Sequence, residues 1–449
     1  MNSMINSNDT IAAIATATGG GVGIVRISGK NLQEFSCKIS RLDNIVPRRA
    51  LYVDFYDESG DAIDSGLLLY FPAPASFTGE DVVELHGHGG AVVLNLLLQR
   101  CLQLGARPAQ AGEFSQRAFL NGKMDLVQAE SVADLIAANG ERAARMAMRS
   151  LKGEFSQKIH HIKDDLIHLR MLVEATLDFP EEEIDFINHD EVISRIDSLQ
   201  SAIDNVLASA KQGAILRDGI NIVLIGAPNV GKSSLLNALA GDEVAIVTDI
   251  AGTTRDTVRE NISLQGVPVH IIDTAGLHNT DDIVEQKGIE RSRNAVQTAD
   301  IVLILTEKSE KINAETQTLL SDIPAELKQI EVVNKIDLIG MSPTCKEING
   351  RDVVYISAKN NMGLDLLEQV ILRHIGWCNN DEGLFLARSR HVFALQQAQK
   401  ALSDARCIYQ PDLLSEHLRQ AQNELGKITG EFSADDLLGE IFSNFCIGK

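Results

Sequence analysis

The 449-residue chain has no long apolar run. No stretch approaches the ~20 uninterrupted apolar residues that span a bilayer, so no membrane-crossing helix and no membrane partner are expected. It also lacks paired cysteines. Cys37, Cys101, Cys345, Cys378, Cys407 and Cys446 include no CxxC pair and no zinc spacing, which argues against a disulfide framework and suits reduced thiols in the cytoplasm. Basic charge is scarce: 41 Lys and Arg against 62 Asp and Glu give a net charge of −21. Phosphate contacts need Lys and Arg, so the chain is a poor generic polyanion binder, and any nucleic-acid contact must be local or shared with a more basic partner. The opening segment MNSMINSNDTIAAIATATGG has neither a basic n-region nor a long apolar h-region, so no secretion signal is expected. Internal repeats and low-complexity tracts are also missing.

What is present is an ordinary globular composition, 44% apolar and 23% charged. The length exceeds one core, and ~150 residues per domain suggests roughly three. Residues 1–121 carry the extended runs GIVRIS, ALYVDFYD, SGLLLYFPAP and DVVELHG with turn formers between them, then an apolar helix over about 90–104. The pattern predicts an α+β domain with a mostly antiparallel sheet. Residues 122–215 switch to long helical periodicity, broken by DFPEEEIDF, where Pro180 ends the first helical stretch. KQGAILRDG (211–219) reads as a linker. Over 216–380, apolar strands alternate with helices, the signature of a parallel sheet with crossover helices, and residues 381–449 return to helix. The fold class expected is multidomain α/β, with a nucleotide-type domain inserted between two halves of one helical domain.

The segment GAPNVGKSS (226–234) satisfies G-x-x-x-x-G-K-[ST] between a strand and a helix. Backbone N–H groups of Asn229, Val230, Gly231, Lys232, Ser233 and Ser234 converge on phosphates there, helped by the helix N-terminus. Lys232 is expected to reach the β- and γ-phosphates, and the Ser233 hydroxyl to ligate Mg²⁺. DTAG (273–276) supplies Asp273 for Mg²⁺ through water, and Thr274, Ala275 and Gly276 near the γ-phosphate. NKID contributes Asn334, Lys335 and Asp337, and SAK contributes Ser357, Ala358 and Lys359. An aspartate in that setting accepts from the guanine N1 and N2 donors, a pair that adenine lacks, so adenine leaves polar groups unpaired. The ordered set reads as a GTPase. Between Ser233 and Asp273 lies DIAGTTRDTVRE, a polar switch-type loop in which one of Thr253 and Thr254 should complete the Mg²⁺ shell.

One part of such a site is missing. Where a Ras-like site has a water-orienting glutamine, this chain has Leu277, and no arginine follows in GLHNTDD. Either another group positions water or the enzyme is only a slow switch; the nearest acids are Asp281, Asp282 and Glu285, of a type more often merely solvated.

Together GAPNVGKSSLLNALAGDEVAIVTDIAGTTRDTVRE, HIIDTAGL, DFPEEEIDF, GEFSQRAFLNGKMDL and the terminal FCIGK resemble, in order and over nearly the whole chain, the MnmE (TrmE) family of bacterial tRNA-modification GTPases. That resemblance implies an N-terminal folate-binding and dimerisation domain, a helical domain and a Ras-like G domain. It implies a homodimer that works with an FAD-dependent MnmG-like partner, as a heterotetramer, on the wobble uridine of certain tRNAs. The product carries an aminomethyl or carboxymethylaminomethyl group at C5, and the one-carbon unit comes from a tetrahydrofolate derivative, the 5,10-methylene or 5-formyl form. Hydrolysis is activated by K⁺-dependent pairing of G domains, with the cation supplying the charge of an absent arginine finger.

Residue by residue, the resemblance matches Asn229, Thr248, Ile250 and Thr253 to K⁺ contacts and Thr254 to Mg²⁺, within a loop that also holds Asp249, Ala251 and Gly252 against the nucleotide. Glu285 matches the water-orienting glutamate. His278 departs from the family, where an arginine is usual, and takes no catalytic role. Arg26, Glu84, Lys123 and Lys449 match folate-binding positions; a pterin ring suits a carboxylate, and the folate tail suits cations. His86 and His88 of LHGHGG lack a third ligand, so no metal is assigned.

The tail FCIGK fails as a prenylation box, because its last two residues are Gly448 and Lys449. The preceding helix, with an N-cap expected at Ser433 and an apolar face of Leu437, Leu438, Ile441, Phe442 and Phe445, should dock and hold Cys446 at a defined place, where a lone thiol is more often inert. The family resemblance implies that Lys449 reaches the folate pocket and makes Cys446 a candidate for chemistry at the uridine or its one-carbon adduct. Two competing readings remain: a regulatory or ribosome-assembly GTPase without one-carbon chemistry, and a folate-binding module with a vestigial GTPase.

Overall fold

A computed structural model describes residues 9–138, 140–178, 189–227, 229–240, 259–273, 297, 299–307, 323–324, 327–378, 383–431, 435–443 and 445–448. The chain forms two compact units: Met1–Ile136, Ser150–Leu199 and Gln397–Lys449 in one, Ala137–Arg149 and Gln200–Gln396 in the other.

The first unit is built on a six-stranded sheet, β1 (Ile11–Ile14), β2 (Gly23–Gly29), β3 (Leu51–Tyr56), β4 (Ala62–Phe71), β5 (Asp81–Gly87) and β6 (Arg107–Pro108). The order is β3-β4-β5-β2-β1-β6, antiparallel throughout except for the short parallel pair β1–β6. Neither β1 nor β6 is among the strands expected from the sequence, since four and two residues are too few to show alternation. Period-two alternation sends Val25, Ile27, Val83 and Leu85 into a core with residues of α1 (Leu32–Ser40) and α2 (Ala91–Gln103). The same alternation puts Arg26, Glu84 and His86 on the opposite face. Helices α3 (Glu113–Leu120) and α4 (Leu126–Ala137) follow.

Beyond α5 (Glu141–Leu151), the long helix α6 (Glu154–Asp178) stops before Pro180, as expected. The linker expected at 211–219 is instead the end of a 30-residue helix, α7 (His189–Asp218). Gly213 is no breaker: a Cβ there would lie 2.0 Å from the Phe385 carbonyl oxygen, so glycine permits a close approach. The helix stops at Gly219, at φ +70, whose N–H donates to Ile215 O at 3.0 Å.

The second unit carries a seven-stranded sheet made from β7 (Ile220–Gly226), β8 (Arg259–Leu264), β9 (Val267–Asp273), β10 (Ile301–Glu307), β11 (Lys328–Asn334), β12 (Thr344–Ile348) and β13 (Arg351–Tyr355). Its order is β12-β13-β11-β10-β7-β9-β8, with the five inner strands parallel and both edges antiparallel. Ile222 and Leu224 of β7 enter one core and Val223 and Ile225 the other, so this strand is buried on both faces and reads as a continuous apolar run. α8 (Lys232–Ala240) and α9 (Leu364–His374) belong to this unit.

The C-terminal helices are α10 (Ser389–Arg406), α11 (Pro411–Thr429) and α12 (Asp435–Ser443). α11 lies along α6, where Ser415 Oγ donates to Glu174 Oε1 at 2.9 Å and Lys163 pairs with Glu431. Of the apolar face expected on the last helix, Leu438, Ile441, Phe442 and Phe445 are buried with Leu126 and Ala129 of α4. The expected cap Ser433 lies outside the described residues. Among those described, no helix is long and apolar enough to cross a membrane.

Candidate functional sites

In the second unit the phosphate motif occupies the turn from β7 to α8. β7 sits between β9 and β10, where the chain order reverses, and open α/β sheets bind ligands at the carboxyl ends of strands at such a point. Gly231 takes φ +97, and a Cβ there would stand 2.4 Å from Asn334 Nδ2. The motif's glycine is therefore demanded by backbone conformation and by space together. Val230 is 1% exposed and offers the site only its backbone. Lys232 folds over its own loop, its Nζ donating to Gly226 O at 2.6 Å, so a phosphate oxygen must compete for that ammonium. Ser233 and Ser234 stand exposed in the first turn of α8. Asp273 ends β9 in register with Leu224, which brings its backbone to the same end of the sheet as the phosphate turn. An exposed hydroxyl at a helix start and an aspartate position beside it suit an octahedral, water-rich Mg²⁺.

The residues expected to read the base come together at the ends of β11 and β13. Asn334 is 4% exposed, and its amide spans two loops: Nδ2 donates to Val230 O at 2.9 Å, and Oδ1 accepts from the Ala358 N–H at 3.0 Å. It braces the phosphate turn against the SAK turn, and its described bonds are to protein backbone. Lys335, at φ +63, donates from Nζ to Asn229 O at 2.7 Å. Asp337 Oδ1 accepts from Ser357 Oγ at 2.6 Å, which fixes the carboxylate plane. Ser357 is buried and Lys359 exposed. Thr248, Asp249, Ile250, Ala251, Gly252, Thr253, Thr254, Thr274, Ala275, Gly276, Leu277, His278, Asp281, Asp282 and Glu285 lie outside the described residues, as does Lys449.

In the first unit, Arg26 and Glu84 face each other across the β2–β5 register, with Arg26 Nε donating to Glu84 Oε1 at 3.0 Å. The other carboxylate oxygen meets His86 Nε2 at 3.1 Å. The Arg26 guanidinium lies 5.6 Å from the centre of the Phe77 ring and 5.8 Å from that of Phe114. Its Nη1 also donates to the Gly448 carbonyl at 3.3 Å, so the chain end reaches this cluster. Ile447 bridges Ala111, and Gly112 N–H reaches Cys446 O at 3.4 Å. Cys446 is exposed two residues from the Arg26 contact. Lys123 donates to Pro74 O at 3.0 Å and flanks Gly79 of the loop that carries Phe77. Phe114 is fully buried and only backs the guanidinium, so the groups left for a ligand are the Arg26 guanidinium, the Glu84 carboxylate and the partly exposed Phe77 ring, a set whose donor and acceptor suit the edge of a pterin. His88 does not join this cluster: its Nδ1 bonds Asp64 Oδ1 at 2.7 Å.

Sequence reasoning missed an ion network next to this cluster. Arg117 is 2% exposed and bonds Asp9 at 2.8 Å, Glu80 at 3.0 Å and Glu113 at 3.0 Å. Arg107 pairs with Asp9 and with fully buried Glu113, each at 2.6 Å. The only signal was the Glu-to-Arg spacing of 113 and 117 on one helix, which usually marks a solvated face. Burial works against the Glu113 carboxylate, but hydrogen bonds from Arg107, the Gln110 N–H and Arg117 outweigh it and hold its pKa below the ordinary value. Asp9 is likewise lowered against its own burial by Arg107 and Arg117. Carboxylates depressed in the native state stabilise it fully above their unfolded pKa, near ~4, and lose that contribution as the pH falls through the native values. Glu113→Gln is therefore expected to cost about 3 kcal/mol at neutral pH and to flatten the loss of stability below pH ~4. Thermal melts across pH 3–7 check this; parallel curves for the two proteins contradict it.

A family model described as the MnmE helical domain matches residues 126–446, and one described as the GTP-binding protein TrmE N-terminus matches residues 10–123. Curated relatives called tRNA modification GTPase MnmE include that of Neisseria meningitidis serogroup A, 60% identical over 99% of this chain and 100% of its own. That of Chromobacterium violaceum is 58% identical over 98% of each. Among solved structures, a point variant of Aquifex aeolicus Era bound to GDP.AlF4- is 25% identical over 43% of this chain and 69% of its own, with a TM-score of 0.29, a likeness that decides nothing. With two family models in sequence order and full-length relatives at this identity, the chain belongs to the MnmE family of tRNA modification GTPases.

Proposed function

We propose that the chain couples GTP hydrolysis in its second unit to modification of C5 of the wobble uridine in certain tRNAs, with a tetrahydrofolate derivative at the Arg26 cluster of its first. The four functional divisions are 1–121, 122–215, 216–380 and 381–449, and the compartment is the cytoplasm. That cluster carries the reading beyond the family name: Arg26 pairs with Glu84 and also takes the Gly448 carbonyl, which brings the CIGK tail alongside a pterin-type donor set. Arg26 and Glu84 orient the ring, while Lys123 and Lys449 attract the glutamate tail. Bound folate supplies the one-carbon unit. Cys446 supplies a thiol for chemistry at the uridine. FAD resides on an MnmG-like partner, and two copies of each chain assemble.

In the second unit, Lys232 and the amides of the phosphate turn hold the phosphates, Ser233 and Thr254 hold Mg²⁺, and Asp337 reads guanine. Asn229 is exposed with its backbone at φ +67, so its side chain is available to a cation arriving with a second G domain. K⁺ held by Asn229, Thr248, Ile250 and Thr253 brings the missing positive charge, and Glu285 orients water. The deciding experiment is nucleoside analysis of tRNA from cells lacking this chain or carrying Cys446→Ser. Loss of the C5 substituent is expected in both. Normal wobble uridines in the deletion overturn the function, and normal ones in Cys446→Ser alone demote the thiol. GTP turnover is expected to be at least tenfold faster in KCl than in NaCl; equal, slow rates in both salts reject the K⁺ mechanism.

A further inference from the structure

The lysine expected to read the base is itself held from two sides. Lys335 donates to the Asn229 carbonyl at 2.7 Å, and its ammonium also pairs with Glu307. Glu307 is the last residue of β10, in register with Asn334 at the end of β11. Its side chain is 18% exposed and that of Lys335 is 35% exposed, so the pair is partly withdrawn from water. Lys335 sits at φ +63, a backbone state costly for a lysine and kept where surrounding contacts fix it, while Asn229 at φ +67 is of a type that takes the left-handed turn readily. Lys335 stands two residues from Asp337, whose Oδ1 is already occupied by Ser357. An untethered lysine there could swing to the remaining carboxylate oxygen and compete with the guanine N1 and N2 donors.

Building on the guanine-site reading above, we propose that Glu307 is a positioning residue for nucleotide selection. It draws the Lys335 ammonium onto the phosphate turn and away from Asp337, which fixes the left-handed turn at Asn229 and leaves the Asp337 carboxylate open to the base. The charge matters more than the shape, because a glutamine of equal size accepts a hydrogen bond but no longer neutralises the ammonium.

The test is Glu307→Gln in the full-length chain, read by equilibrium binding of a fluorescent GDP and by the KM and kcat of GTP and ITP. Inosine lacks the 2-amino group, so the GTP-to-ITP preference reports how well Asp337 reads that donor. We expect GDP affinity to fall about tenfold, the GTP-to-ITP preference in KM to narrow at least threefold, and kcat at saturation to stay within twofold. Glu307→Asp should recover part of the loss. Unchanged GDP affinity and unchanged preference in a Glu307→Gln protein with normal thermal stability would overturn the proposal. An equal loss for GTP and ITP also overturns it, since that pattern means general loosening of the site. Asp337→Asn separates the two levels: if it binds GDP normally, the guanine-site reading fails, and if it alone loses binding, only the role of Glu307 fails.

Discussion

Replacing Gly448 by valine is expected to abolish tRNA modification, a loss of at least ~100-fold, while GTP turnover stays within twofold of the unchanged chain. Gly448 sits at φ +95, and a Cβ there would stand 2.5 Å from Ile14 O and 2.9 Å from Ala15 Cα. Those neighbours are backbone of β1 and the residue after it, and so cannot rotate away. A β-branched residue adds ~1–3 kcal/mol of conformational strain to that collision. The tail must leave its seat, and the Arg26 bond to the Gly448 carbonyl goes with it. Cys446 then loses its fixed place. Nucleoside analysis of tRNA from cells complemented with the variant gives the answer, together with GTP turnover of the purified protein. Full modification by Gly448→Val shows that the docked tail is dispensable.

The second large effect is expected from Asn334→Ala. The substitution strips a partner from the Val230 carbonyl and from the Ala358 N–H, both on buried residues. Each stranded buried group costs ~1–3 kcal/mol. Alanine has no means of tying the two turns together, so the phosphate turn and the SAK turn lose their register. Affinity for GDP is expected to fall about 100-fold, or ~2.7 kcal/mol, with a lower melting temperature for the second unit. Because the side chain binds backbone on both sides, Asn334→Asp is also expected to fail: its carboxylate can accept from Ala358 but has no proton for Val230 O. Normal binding by either variant removes the brace from the account.

These two residues show how differently the two sites are written. The nucleotide motifs are local: Gly226 to Ser233 run over one turn, and the physics of phosphate binding by N–H groups dictates their spacing. Such a pattern is legible without coordinates, as are the alternating strands and helices of that unit. Asn334 belongs to a legible motif, yet its work as a brace between turns is visible only once β7, β11 and β13 stand side by side. The KQGAILRDG segment misleads for the same reason: Gly213 breaks a helix in isolation, but here it makes room for the Phe385 carbonyl.

The sequence by itself determined the class of chemistry, the inserted nucleotide domain and the apolar helix before the tail, because each rests on contacts within a few residues or on a period of 2 or 3.6. The family resemblance had already grouped Arg26 and Glu84 with the chain end. Only the tertiary structure supplied the bonds that join Arg26 to Glu84 and to the Gly448 carbonyl, the Asp9, Glu80, Arg107, Glu113 and Arg117 network, and the link from Glu307 to Lys335. These partners are separated by up to 422 residues, and a charged side chain carries no mark in the sequence of the partner that allows it to be buried.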